Sequence, residues 1–214
     1  MIEILRTRFS KLWKSMRLEG DPNYWFDYIV VRYSERHRFY HVLEHIFDCL
    51  EKFDWVKHLI PHPSWVEFAL FIHDLVYSTD REEGKLNERL SAEIGCVMLQ
   101  AGSARRSTID GVSGLVMVTK GHKPGTWLDA QYACDIDCSI LGAPPQEFNI
   151  YNENIRREYA HVPLPDYIVG RTDALVGLAK PVSIFSTDYF SQKYELQARL
   201  NIERALAELP LLTK

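Results

Sequence analysis

The chain has 214 residues, 46% of them hydrophobic and 25% charged, a composition that suits one globular domain with a real core. Lysine plus arginine number 25 and aspartate plus glutamate 29, so the formal charge is −4 at pH 7, a balance that argues against a nucleic-acid polymer as partner while leaving room for a local basic pocket. No run approaches the ~18 uninterrupted apolar residues that span a bilayer, and the charges spread from Glu3 to Arg17 leave no continuous signal-peptide core; the expectation is a cytoplasmic protein with no membrane partner.

The apolar periodicity is helical almost throughout. Ile2, Leu5, Phe9, Leu12, Trp13 and Met16 recur at steps of three and four and predict an opening helix that Gly20-Asp21-Pro22 stops. A second, short helix is expected from Trp25 to Tyr33. From Glu35 to Phe53, Tyr40, Leu43, Phe47 and Leu50 repeat at helical spacing with His37, His41 and His45 interleaved at steps of four, which puts His41 and His45 on one face of one helix. After Pro61-His62-Pro63, Ser64 and Glu67 have the spacing of a capping box for a helix through Trp65, Phe68, Ala69, Ile72 and Val76, with His73 and Asp74 in its last turns. Helices are also predicted over about 87–100, ended by Gly102, and over about 107–119. Beyond the breaker cluster from Gly121 to Gly125, Thr126 can cap a helix through Ile136, which the stretch from Leu141 to Pro145 closes. The last third reads as helices over about 145–159, 165–179 and 187–209. With no strand pattern, repeat or low-complexity segment, the fold class is all-α, and helices of unequal length favour orthogonal packing over a regular bundle.

Four cysteines, Cys49, Cys96, Cys134 and Cys138, form no C-x-x-C pair and read as small buried hydrophobes. Cys134 and Cys138, one turn apart, would ligate a soft metal only with two further ligands nearby. Eight histidines raise the question of a metal more directly. His73-Asp74 lies in an apolar segment destined for burial, where imidazole and carboxylate need partners; a divalent cation would serve both, as would ordinary hydrogen bonds around a buried histidine. Asp135 and Asp137 likewise interrupt an apolar helix, and two residues apart they face different ways.

Taken in order, these motifs resemble the HD superfamily of metal-dependent phosphohydrolases. The strings Arg38-Phe39-Tyr40-His41-Val42-Leu43-Glu44-His45, Phe71-Ile72-His73-Asp74-Leu75-Val76-Tyr77, Asn87-Glu88-Arg89-Leu90-Ser91-Ala92 and Asp135-Ile136-Asp137-Cys138-Ser139-Ile140-Leu141-Gly142 are similar to a poorly characterised branch of it, and the similarity runs from about Tyr33 to Leu209. The resemblance implies an HD-domain-like orthogonal helical fold as a single domain over 1–214, with a metal-site core at about 33–142 and a helical extension at about 143–214. It implies metal ligands at His45, His73, Asp74 and Asp137, holding one divalent cation per chain, or two. That nitrogen and oxygen set suits Mn, Fe, Co, Ni, Zn or Mg and does not choose among them. The Tyr40-His41-x-x-x-His45 string is also similar to one in cyclic-nucleotide phosphodiesterases, where the first histidine donates a proton and the second binds metal; His41 is thus the candidate acid, the reverse assignment being the alternative. In superfamily members an Asp-x-Asp often carries the ligand on its second acid, which favours Asp137 and leaves Asp135 in support, again with the reverse as alternative. His122 matches a loop histidine of the branch and is a candidate catalytic or phosphate-contacting group, or else a plain surface histidine. Arg38, Lys120 and Arg156 are candidates for binding substrate phosphate, and Glu88 for orienting ligands. His37, His58, His62 and His161 have no motif support and read as structural. The implied activity is hydrolysis of a small phosphomonoester or nucleotide by a metal-activated water, with a hydratase, an iron oxygenase or a non-catalytic nucleotide-binding sensor as alternatives.

Overall fold

The computed structural model describes residues 1–213. Among them ten α-helices succeed one another with no strand: α1 (Ile2–Ser15), α2 (Pro22–Tyr33), α3 (Leu43–Val56), α4 (Pro63–Ile72), α5 (Asn87–Ala101), α6 (Arg106–Thr119), α7 (Leu128–Asp137), α8 (Pro145–Glu158), α9 (Leu164–Ala179) and α10 (Asp188–Glu208). Four short 3₁₀ segments, Lys57–Leu59, Glu83–Leu86, Cys138–Gly142 and Leu209–Thr213, join or extend them. The protein is all-α. No helix among the described residues is long and apolar enough to cross a membrane. The chain forms two compact units, residues 1–134 and residues 135 onward, so the division falls inside α7.

In the first unit the apolar stripe of α1 is buried as its spacing predicts, through Leu5, Phe9, Leu12 and Trp13. Phe9 is the hub: its ring lies 5.1 Å from that of Phe71 in an edge-on contact and 5.8–6.0 Å from those of Trp13, Phe26 and Phe68. Aromatic pairs at this spacing add roughly 0.5–1.5 kcal/mol each beyond the area they bury, and here they fix α4 against α1 and α2. Asp21 opens α2 by accepting the Asn23 amide, with Pro22 in the first turn, so the helix begins three residues earlier than its apolar pattern. On α6, Gly111 and Gly114 sit one turn apart, and a Cβ on them would lie 2.4 Å and 3.0 Å from the indoles of Trp65 and Trp127. Two large rings can approach this helix so closely only because those positions carry no side chain.

The second unit is organised around α10. Phe185, Phe190 and Tyr194 pack ring to ring, and the fully buried Asn201 gives its amide hydrogens to the carbonyls of Leu141 and Ala143, each at 2.8 Å. Those carbonyls belong to the end of a 3₁₀ segment and have few helical partners, so a side-chain donor is what burial there requires. Asp135 performs the matching task at the other end of α10: its carboxylate accepts the amides of Ser186 and Thr187 and the Thr187 hydroxyl at 2.7–2.8 Å.

Candidate metal centre

The site begins with two interruptions of helical structure. The predicted helix from Glu35 does not form: residues 34–42 run through turns and bends, and α3 starts at Leu43 after an extended Val42. His41 and His45 are therefore not neighbours on one helix face; His41 lies in the turn and His45 in the first turn of α3. Similarly, α4 stops at Ile72, and His73 and Asp74 occupy the turn that follows instead of its last helical turns. The predicted capping box is also absent, since the helix is preceded by His62 with no side-chain cap and Glu67 accepts from Arg8 instead.

The α4 turn is held from outside the helix. Arg38, 4% exposed, donates from Nη1 to the Asp74 carbonyl at 2.6 Å and from Nη2 to that of Leu75 at 3.1 Å; its Nε pairs with Glu35 at 2.9 Å. Arg32 adds a 3.0 Å bond to Leu75, and the Asp74 amide donates to the Tyr33 hydroxyl at 3.1 Å. Burial, reinforced by the Asp74 charge and opposed by Arg38, pushes the Tyr33 phenol well above its ordinary value, so it stays neutral. The guanidinium that the sequence offers for substrate phosphate is thus enclosed and bonded to main-chain carbonyls and to Glu35.

With both turns fixed, three ligand atoms meet. His45 Nε2 lies 3.1 Å from His73 Nε2, His73 Nε2 lies 2.9 Å from Asp74 Oδ2, and His45 Nε2 lies 3.6 Å from the same oxygen. Both histidines are buried and Asp74 is partly so. His73 Nδ1 faces the Leu70 carbonyl at 3.1 Å; a carbonyl only accepts, so Nδ1 carries a proton and the Nε2 lone pair of the neutral ring points into the cluster. A lone pair against a carboxylate oxygen at such a distance demands something positive between them. A proton on His73 would meet that demand, and so would a cation: ligand atoms roughly 2.1 Å from an ion at tetrahedral or octahedral angles stand about 3.0–3.4 Å apart, close to the observed spacings. A carbonyl holding the far side of the imidazole is also what a metal-binding histidine ordinarily has. The donor set thus fits a divalent cation.

The other expected residues fall in several places. Asp137 ends α7, in the second unit. Asp135 is buried and accepts its hydrogen bonds at the start of α10, as described above. Burial pushes its carboxyl above the ordinary value against the pull of those three hydrogen bonds. His41 is half-buried, stacked on Tyr77 with ring centroids 4.1 Å apart and 5.8 Å from the ring of His45. His122 lies in the loop between α6 and α7 in the left-handed region, φ 50°, and belongs to no group of three ligand atoms among the described residues. Lys120 donates its ammonium to the Lys85 carbonyl. Arg156, in the second unit, donates to the Tyr159 carbonyl at 2.5 Å and lies over the Tyr167 ring. Glu88 stands in the first turn of α5, and its Oε2 is buried without a hydrogen-bond partner, an unmet demand worth roughly 1–3 kcal/mol.

Three contributors escape a reading of the sequence. Tyr33 and Arg32 act on main-chain atoms, which leave no pattern. Cys49 does leave one: it is four residues after His45 on α3, and its sulfur lies 3.8 Å from both ring nitrogens of that histidine.

Fold and cluster together define an all-α protein with a two-histidine, one-carboxylate centre able to hold a divalent cation. No protein-family model, no curated protein and no solved structure matches the chain.

Proposed function

We propose that the chain is a metal-dependent phosphohydrolase of the HD type, working in the cytoplasm on a small phosphomonoester or a nucleotide. The observation that carries the reading is the convergence of His45 Nε2, His73 Nε2 and Asp74 Oδ2 at 2.9–3.6 Å in a buried position; the motif order in the sequence supports the choice of chemistry, and Asp137 is the fourth ligand it implies. A bound divalent cation supplies Lewis-acid chemistry, lowering the pKa of water towards ~7 and polarising the phosphoryl group. The protein's own part is positional and protic. His73 presents Nε2 because Nδ1 is tied to Leu70, and Asp74 is aimed by the grip of Arg38 and Tyr33 on its backbone. His41, near the cluster but outside its ligand set, donates a proton to the leaving oxygen.

Offered Mn, Fe, Co, Ni and Zn without chelator, the wild-type chain is expected to retain about one equivalent of metal and to release phosphate from members of a nucleotide and sugar-phosphate panel. His45→Ala and Asp74→Ala are expected to lose the metal. Elemental analysis of the purified proteins decides the site, and wild type that binds none of the five ions overturns it; metal without phosphate release overturns the activity alone.

A further inference from the structure

A second constellation occupies the opposite end of α4, about 15 Å from His73 by the ten-residue length of that helix. Asp129, 1% exposed at the start of α7, accepts three hydrogen bonds: the backbone amide of His62 at 2.8 Å, the imidazole Nδ1 of His62 at 2.9 Å, and the indole Nε1 of Trp127 at 3.0 Å. The His62 ring lies flat on Trp65, centroids 4.1 Å apart and planes 11° from parallel. Trp65 and Trp127 are themselves seated on Gly111 and Gly114 of α6. The imidazole is thus oriented on two sides, by a buried carboxylate and by an aromatic floor, while half of its side-chain surface is open to solvent (51%).

The chemistry follows from which nitrogen is engaged. A carboxylate that already accepts two N–H groups also accepts the Nδ1 proton, so the lone pair of the neutral ring is on Nε2, the atom left for an incoming group. This is the histidine and orienting acid of a catalytic triad without a serine between them and the substrate. Among the described residues no lysine or arginine bonds to either partner, so a phosphate dianion would meet an uncompensated carboxylate; a neutral carbonyl would not. We propose that His62, oriented by Asp129, is an acyl-accepting nucleophile for activated esters and thioesters. Nε2 attacks the carbonyl carbon and forms the N–C bond. The bond to the leaving group then breaks, and the leaving group departs with its electron pair. The Nδ1 proton of the resulting acyl-imidazolium is shared with Asp129, and water returns the free imidazole by hydrolysing the N–C bond to a carboxylic acid.

Diethyl pyrocarbonate, a neutral activated carbonyl, tests this on the full chain, with and without chelator, by following the rate of carbethoxylation at each histidine through peptide mass mapping. Within one wild-type sample His62 is expected to react at least about tenfold faster than the exposed His58 and His161, and Asp129→Asn to bring it down to their rate. The comparison inside the wild type stands even if Asp129→Asn fails to fold. Labelling of His62 no faster than His58 and His161, or undiminished in a folded Asp129→Asn protein, overturns the proposal.

Discussion

Asp135 and Asp137 are two residues apart on α7, and their substitutions should separate cleanly. Asp135 already accepts three hydrogen bonds from Ser186 and Thr187, so Asp135→Asn should keep its metal and lose about 1–2 kcal/mol of stability, the cost of a weakened helix cap. Relief of the desolvation that raises its pKa works against a larger loss. Asp137→Asn, at the fourth ligand position that the motif order implies, should instead lose the metal, with little change in the melting temperature of the metal-free protein; metal titration and thermal melts of the metal-free forms of both variants check the pair, and the reverse pattern moves the ligand to Asp135. His41 gives a sharper chemical test. His41→Asn should retain the cation yet slow hydrolysis of an alkyl phosphate about 10²- to 10⁴-fold, and that of a nitrophenyl phosphate clearly less, because a phenolate leaves without a proton. Equal losses on both substrates make His41 a packing residue, and loss of metal makes it a ligand. What could be read from the chain here was chemical type: an imidazole or carboxylate inside an apolar segment announces a buried site, as His45, His73 and Asp74 do. What could not be read was use. Arg38 has the charge of a phosphate binder, and only its main-chain partners, which carry no sequence signature, reveal that it is enclosed.

Helix ends show the same division. Where glycine and proline punctuate, pattern and structure agree: Gly102 ends α5, and Pro145 opens α8. The departures that matter for the site are α3 and α4, the two elements that meet at the candidate metal centre. In both, apolar periodicity continues past the helix boundary, through Tyr40 before α3 and Val76 after α4, because burial alone sets that periodicity while a boundary depends on who satisfies the unpaired amides at a helix start and the unpaired carbonyls at its end. In the turn after α4, Arg38 and Arg32 take the Asp74 and Leu75 carbonyls from a distant part of the chain. Arg38 is accordingly a positioning residue, and Arg38→Ala should weaken metal affinity about 10- to 100-fold, as loss of support behind a ligand typically does. Arg38→Lys should not restore it, since an ammonium cannot reach two carbonyls and the Glu35 carboxylate in one plane. Metal titration by calorimetry, with far-ultraviolet dichroism to show that the helices persist, measures this; affinity unchanged in Arg38→Ala would separate the turn from the site.

Across the molecule as a whole, charge is close to balanced at pH 7, −4 in 214 residues, and where acid is first felt is set by particular carboxylates whose folded pKa departs from its unfolded value. Glu195 of α10 is such a group. Partial burial tends to raise its pKa, but the amides of Ile184 and Phe185, the Ser183 hydroxyl and Arg199 together outweigh that and hold it below its ordinary value of 4.5. A carboxyl whose folded pKa is depressed contributes stability that is complete above its unfolded pKa and is lost as pH falls through the folded one. The segment it anchors, Ser183 to Phe185, leads into α10 and has Glu195 as the acceptor for two successive backbone amides. Protonation leaves one fewer charged acceptor for those N–H groups, and they should open to solvent locally before the helices of the unit unfold. Hydrogen exchange on the full chain should therefore show the amides of Ile184 and Phe185 protected near neutrality and losing protection below about pH 4.5, while Glu195→Gln should already show the faster exchange at neutral pH and little further change on acidification. Exchange at these two amides that is equally slow in both proteins, at either pH, would mean that the segment is held by packing of Phe185 and not by the carboxylate.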